Sequence, residues 1–104
     1  MIYVTTATIS GKELSESLGI VRGSTVRARN IGRDVFAGLK SLVGGEISEY
    51  TQLLAQAREQ AIQRMLEDAQ RVGADAVVNV RFNTSQVMQG AAEILVYGTA
   101  VKFK

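Results

Sequence analysis

Four arginines, Arg22, Arg27, Arg29 and Arg33, stand in a stretch with no acid between Ser17 and Asp34. A guanidinium is a permanently charged fork that matches phosphate and carboxylate oxygens. A one-sided run of them is the chain's clearest offer of chemistry: holding an anion, a polyphosphate or a nucleic-acid backbone. Arg27 and Arg29 have the same parity, which puts both on one face of a strand. Asn30 and Arg33 add a helix start, where free N–H groups favour negative charge. The candidate anion site is therefore Arg22, Arg27, Arg29, Asn30 and Arg33. Two features weigh against it. Little aromatic interleaving is present for stacking bases, and the same residue types also serve as caps, solvated faces and ion pairs.

The remaining chemistry is thin. The chain has no cysteine and no histidine, which removes disulfides, thiolate nucleophiles, the commonest general base and the usual soft-metal ligands. The acids Glu13, Glu16, Asp34, Glu46, Glu49, Glu59, Glu67, Asp68, Asp75 and Glu93 are scattered, without a calcium-loop spacing. No nucleophile–base spacing stands out, and the glycines form neither a dinucleotide fingerprint nor a Walker loop. No catalytic residue, metal site or cofactor is expected.

The elements follow from periodicity. Ile2–Thr8 is β-branched and aromatic and reads as a strand. In Lys12–Val21, Leu14, Leu18 and Val21 fit a helical spacing, while Leu14, Leu18 and Ile20 share the parity of one strand face. Gly19 with the short run to Gly23 favours the strand. Gly23-Ser24 reads as a turn, and Thr25–Asn30 as an arm folding back in a hairpin. From Asn30 the spacing of Ile31, Val35, Leu39 and Leu42 predicts a short helix, capped by Asn30 and stopped at Gly44-Gly45. Ser48 opens a long helix that ends at Gly73. Tyr50, Leu53, Leu54, Ala57, Ala61, Met65, Ala69 and Val72 lie along its apolar face, and Glu67→Arg71 and Arg64→Asp68 are candidate ion pairs. Small Ala57 and Ala61 let it sit low on a sheet, with Gly98 and Ala100 as partners. Ala76–Phe82 is a strand with Val78, Val80 and Phe82 on one face. Asn83–Ala92 reads as a polar connector, and Glu93–Phe103 as the last strand. That strand is apolar on both faces and must be central or covered twice.

At 104 residues the chain is one domain, 1–104. It is 46% hydrophobic and 21% charged, with net charge +2. Such a balance suits a protein with apolar surface to bury by association, and it is too mild to define a nucleic-acid binder. A helix of about 24 residues spans about 36 Å, more than the roughly 26 Å diameter of a compact domain this small. No apolar run approaches the roughly 18 residues of a membrane span, and the N-terminus lacks signal-peptide character. A cytoplasmic protein is expected.

Several segments carry a resemblance: Gly19-Ile20-Val21-Arg22-Gly23, Asn30-Ile31-Gly32-Arg33-Asp34-Val35-Phe36-Ala37-Gly38, Val43-Gly44-Gly45, Ala57-Arg58-Glu59, Gly73-Ala74-Asp75-Ala76-Val77-Val78 and Gly98-Thr99-Ala100-Val101. In this order they resemble the YbjQ-type family of small bacterial proteins, over essentially the whole chain. The resemblance implies an α+β, dodecin-like subunit, with a two-layer antiparallel sheet and one long and one short helix. It further implies a ring-shaped homopentamer without established activity, under the label "putative heavy-metal-binding". Family members tend to continue the Gly-Ala-Asp-Ala-Val-Val strand with acids around Asp-Tyr-Glu, where this chain has Arg81-Phe82-Asn83-Thr84-Ser85. Candidate interface residues are Asp34, Phe36, Tyr50, Val87, Met88, Leu95 and Tyr97. The expectation is a non-enzymatic homo-oligomer acting as scaffold or small-ligand binder. Anion or nucleic-acid binding by the Arg22–Arg33 belt, or divalent-metal binding by carboxylates, are the alternatives.

Overall fold

A computed structural model describes residues 1–28, 48–88 and 91–104. The expected short helix, and with it Arg29, Asn30, Arg33, Asp34 and Phe36, lies outside the described residues. The described elements are β1 (Ile2–Tyr3), β2 (Leu14–Ala28), α1 (Ser48–Arg71), β3 (Ala76–Met88) and β4 (Ala91–Phe103). They make an α+β unit, a four-stranded mixed sheet of order β1-β3-β4-β2 with α1 on one face. β4 is central, as its two apolar faces required. The sheet is not wholly antiparallel: Ile2 and Tyr3 pair in parallel with Ala76 and Val77. Parallel pairing needs a long crossover, and β2 and α1 provide it.

α1 begins and ends where the sequence places it. At its exit the N–H of Gly73 donates to the Gln70 carbonyl (3.0 Å) and that of Ala74 to the Ala69 carbonyl (3.0 Å), with Gly73 at φ 78°. Those two bonds are a Schellman closure, which needs a residue in the left-handed region and so selects glycine. Lys102 Nζ adds a 3.0 Å bond to the Gly73 carbonyl, placing a cation against the negative helix end.

β2 is one continuous strand where a hairpin was expected. It pairs with β4 without interruption from Gly19↔Ala100 to Ala28↔Ala91. Gly23 is therefore not a turn residue. A Cβ there would collide with backbone atoms of Ala61 and Met65 and come within 2.8 Å of the Arg64 carbonyl carbon. The glycine is the place where α1 presses against the strand, with Ala57 and Ala61 wholly buried on the helix side. Nearby, Thr25 is buried and its Oγ1 donates to the Ala57 carbonyl at 3.0 Å. Thr25→Val, which keeps the shape and removes the bond, is expected to cost about 1 kcal/mol, read by urea unfolding at fixed protein concentration.

Irregular register explains two further departures. β2 shifts register between Leu14 and Glu16 and again between Ser17 and Gly19. Leu14, Leu18 and Ile20 therefore do not share a face: Leu18 packs under α1, Leu14 on the opposite side, and Ile20 is exposed. β3 bulges between Val78 and Arg81, with Asn79 at φ 54°, a conformation asparagine tolerates better than most residues. Val78 and Val80 consequently face opposite sides. Gly98 answers that bulge rather than the helix, since a Cβ there would lie 2.6 Å from Val77 Cγ1 and 2.9 Å from the Val78 carbonyl oxygen. Beyond the bulge β3 continues to Met88, so the part of the expected connector from Asn83 to Met88 is strand, with a last rung at Met88↔Ala91.

The main core lies between α1 and the sheet, around Met65, Val21, Val77, Val96 and Ala100. A smaller cluster of Ala76, Val78 and Val101 on the other face is covered by the N-terminal segment through Val4, Ile9 and Leu14. That cover reaches only one end of the sheet. Farther along, Ile20, Val26 and Tyr97 remain exposed.

Candidate functional site

Of the predicted anion residues, Arg22 and Arg27 are described, and the strand sends them to opposite faces. They are five positions apart with no register shift between them, and an odd separation alternates sides. Arg27 turns toward α1, where its Nη2 donates to Gln60 Oε1 at 2.8 Å and its Nε is buried without a partner among the described residues. It does not join Arg22 in a solvent-facing belt.

Arg22 instead lines an open groove of about 540 Å³ between the outer edge of β2 and α1, together with Ser24, Arg64, Glu67, Asp68 and Arg71. Arg22 lines it through its backbone, since its side chain lies on the face opposite α1, and the charged side chains of the groove are those of Arg64, Glu67, Asp68 and Arg71. Asp68 is the hub, its Oδ2 accepting the Arg22 backbone N–H (3.1 Å) and its Oδ1 accepting Arg71 Nη1 (2.9 Å). Arg64 Nη1 donates to the Ser24 carbonyl at 2.6 Å. Sequence periodicity pairs Arg64 with Asp68 and Glu67 with Arg71. The structure instead joins Arg71 to Asp68 at i, i+3 and sends Arg64 across to the strand. The cause is proximity: glycine at 23 brings the helix close enough for its side chains to reach backbone groups of β2.

Chemically this groove is a seal more than a reaction centre. Side chains of α1 take up one N–H and one C=O of an edge strand, groups that would otherwise face water unpaired. The charges are nearly balanced, and nothing in the groove pairs a nucleophile with a base. Arg64, Asp68 and Arg71 are the site residues that sequence reasoning missed. The available signal was Gly23 itself, read as a turn instead of as a close approach.

Of the expected interface residues, Tyr50, Val87, Met88, Leu95 and Tyr97 are described, and these are dispersed. Val87 and Met88 are exposed on the far part of β3. Tyr97 is exposed on the face opposite α1, directly across from Arg22 on β2 and Arg81 on β3, and Leu95 is half-buried beside it. Tyr50 lies in the first turn of α1.

The chain belongs to the YbjQ_1 family, described as "Putative heavy-metal-binding", whose model matches residues 1–104. Among its relatives are UPF0145 proteins of Methanosarcina acetivorans (63% identical over 98% of this chain and 96% of the relative) and Archaeoglobus fulgidus (57%, over 100% and 96%). Another, from Psychromonas ingrahamii, is 58% identical over 100% and 99%. The relatives thus include archaea as well as bacteria, and none of these names is enzymatic. A crystal structure of a DUF74-family protein of unknown function from Pediococcus pentosaceus shares the fold. Its TM-score is 0.65 at 15% identity, with 100% of this chain and 98% of that one covered.

The family description raises a heavy metal, and the donor set does not fit one. Soft ions take thiolate or imidazole, and the sequence holds neither. Among the described residues no three acids gather as a metal cluster. The positions after the Gly-Ala-Asp-Ala-Val-Val strand, Arg81 to Ser85, lie exposed along β3 without a carboxylate. Among the described residues, no helix is long and apolar enough to cross a membrane.

Proposed function

We propose that this chain is a non-enzymatic subunit of a homo-oligomer that acts as a scaffold or a small-ligand binder. One observation carries the reading. The radius of gyration is 17.2 Å, with extents of 55 × 25 × 16 Å, whereas a compact domain of this length has a radius near 13 Å. The described residues form a thin slab of sheet and helix that buries little of its own surface, and a slab exposing Ile20, Val26, Phe82 and Tyr97 gains by stacking on another. Closed point-group symmetry is the usual outcome for such subunits. The family resemblance favours a ring of five.

Native mass spectrometry of the untreated protein tests this, because it weighs the assembly and any retained ligand together. The expected result is a single closed oligomer, five subunits, carrying no zinc, cadmium or copper ion. A monomer at micromolar concentration overturns the reading. The basic-belt alternative loses support from the opposed faces of Arg22 and Arg27, and a retained polyphosphate or oligonucleotide in the spectrum would restore it.

A further inference from the structure

We infer that Arg22, Tyr97 and Arg81, one row across the open face of the sheet, bind single-stranded nucleic acid. The ring takes a base, and the two guanidinium groups take the phosphates on either side of it. The inference goes beyond the homo-oligomer reading and stands on a single subunit. Tyr97 on β4 is paired directly with Arg22 on β2 and with Arg81 on β3. Directly paired residues of antiparallel strands share a face, with Cβ atoms about 5 Å apart. The two arginines therefore flank the ring on the face opposite α1, their Cβ atoms about 10 Å from each other. All three residues are exposed. The row shares only Arg22 with the belt read from the sequence.

The two cations are available for different reasons. Arg22 is held through its backbone N–H, on Asp68, and its guanidinium has no partner among the described residues. Arg81 is anchored instead, its Nη1 donating to the Thr5 carbonyl (2.9 Å) and the Val80 carbonyl (2.8 Å). Its Nη2 and Nε are left without an acceptor among the described residues, on a group already fixed in place. Among the described residues, the register places one acid on this open stretch of the face, Glu93. It lies four residues along β4 from Tyr97, about 14 Å away.

Charge and ring together select the occupant. A second copy of the chain covering this row would bury two guanidinium groups without a carboxylate to pair them. An acidic peptide would meet the charges and leave the ring unused. An interior nucleotide of a single strand uses all three residues, because it carries a phosphate on each side of a base whose π-face stacks on an aromatic ring. A free mononucleotide has its phosphate on one side only.

The test titrates the full chain into a fluorescein-labelled deoxythymidine hexamer and follows anisotropy. The wild type is expected to bind, its affinity falling by about sevenfold or more between 50 and 200 mM salt, as two phosphate contacts to a single strand require. In Arg22→Gln that fall is expected to shrink to about threefold. Tyr97→Leu is expected to lose about fivefold or more in affinity, and Tyr97→Phe to keep it. Circular dichroism checks each fold. Arg22 is exposed, so its variant tests the row even where Tyr97→Leu does not fold. Equimolar thymidine monophosphate or glutamate hexapeptide is expected to leave the hexamer bound. Four results would overturn the inference: no binding by the wild type at the lower salt, unchanged affinity and salt dependence in Arg22→Gln, displacement by either competitor, or a changed mass of Arg22→Gln in light scattering, which would put the row in a self-contact. A monomeric wild type that binds as expected overturns the homo-oligomer reading and leaves this one standing.

Discussion

Gly23→Ala is expected to lower the unfolding free energy by about 3 kcal/mol, the upper end of what overpacking a core costs. A single methyl group produces so large an effect because of what it meets. The atoms in its way are backbone of Ala61, Arg64 and Met65, and backbone in the middle of a helix cannot rotate aside as a side chain can. Relief requires α1 to lift off β2. That movement in turn opens the Arg22–Asp68 and Arg64–Ser24 bonds and thins the packing of Ala57 and Ala61. Gly23→Val, with two further methyls, is expected to prevent stable folding. Urea titration followed by circular dichroism measures the loss. Protein concentration must be held constant, since association contributes to apparent stability. A change of less than 0.5 kcal/mol in the alanine variant would show that the helix is not seated on this glycine.

The second large effect is Met65→Ala. Met65 is fully buried and is the largest such side chain among the described residues. It lies in the cluster that joins α1 to Val21, Val77, Val96 and Ala100. Truncation removes buried methylene and thioether contacts and leaves a void that its small neighbours cannot fill. A cost of about 2–5 kcal/mol follows from comparable truncations. In a domain of about this size that shifts the thermal midpoint by more than 10 °C at the middle of the range. Met65→Leu, which nearly conserves volume, is expected to cost less than about 1.5 kcal/mol. The comparison of the two isolates volume from sulfur, and equal losses in both would argue against a cavity as the cause.

Some of this architecture was legible before any coordinates. α1 was marked at both ends by residue type, serine before it and glycine after, with one apolar stripe between. The central place of β4 followed from apolar residues on both its faces. What periodicity could not deliver was anything that depends on a break in alternation. Leu14, Leu18 and Ile20 look like one strand face until the shifts before Glu16 and Gly19 are known, and Val78 and Val80 look alike until Asn79 turns the chain. Gly23 was misread because a glycine serves equally as a turn residue and as a place for close contact. Only the partner element distinguishes the two. The polar run Asn83–Gln86 resembled a loop because both its faces are exposed, and its strand conformation comes from pairing with β4, not from its own preference.

The candidate site fared similarly. Arg22 was found from charge. Asp68 and Arg71 were passed over because helix spacing suggested other partners for them, and Arg27 was grouped with Arg29 in an anion-binding belt although Gln60 holds it against the helix. Side chains that reach from one element to backbone of another leave little trace in a local pattern.

The strand order also governs how the molecule comes into being. β2 and β3 are not neighbours in the sheet; each is paired through β4, the element translated after both. While the ribosome is still making β4, its two neighbours have only α1 and the short N-terminal pairing to hold them. The outermost rung then joins Leu14 to Phe103, a closure between positions far apart in sequence, and such closures slow folding. A nascent chain of this family therefore passes through a stage with two incomplete, pairing-competent strands. Rapid completion of β4, or a chaperone that covers β2 and β3 until then, separates the folded subunit from an aggregate.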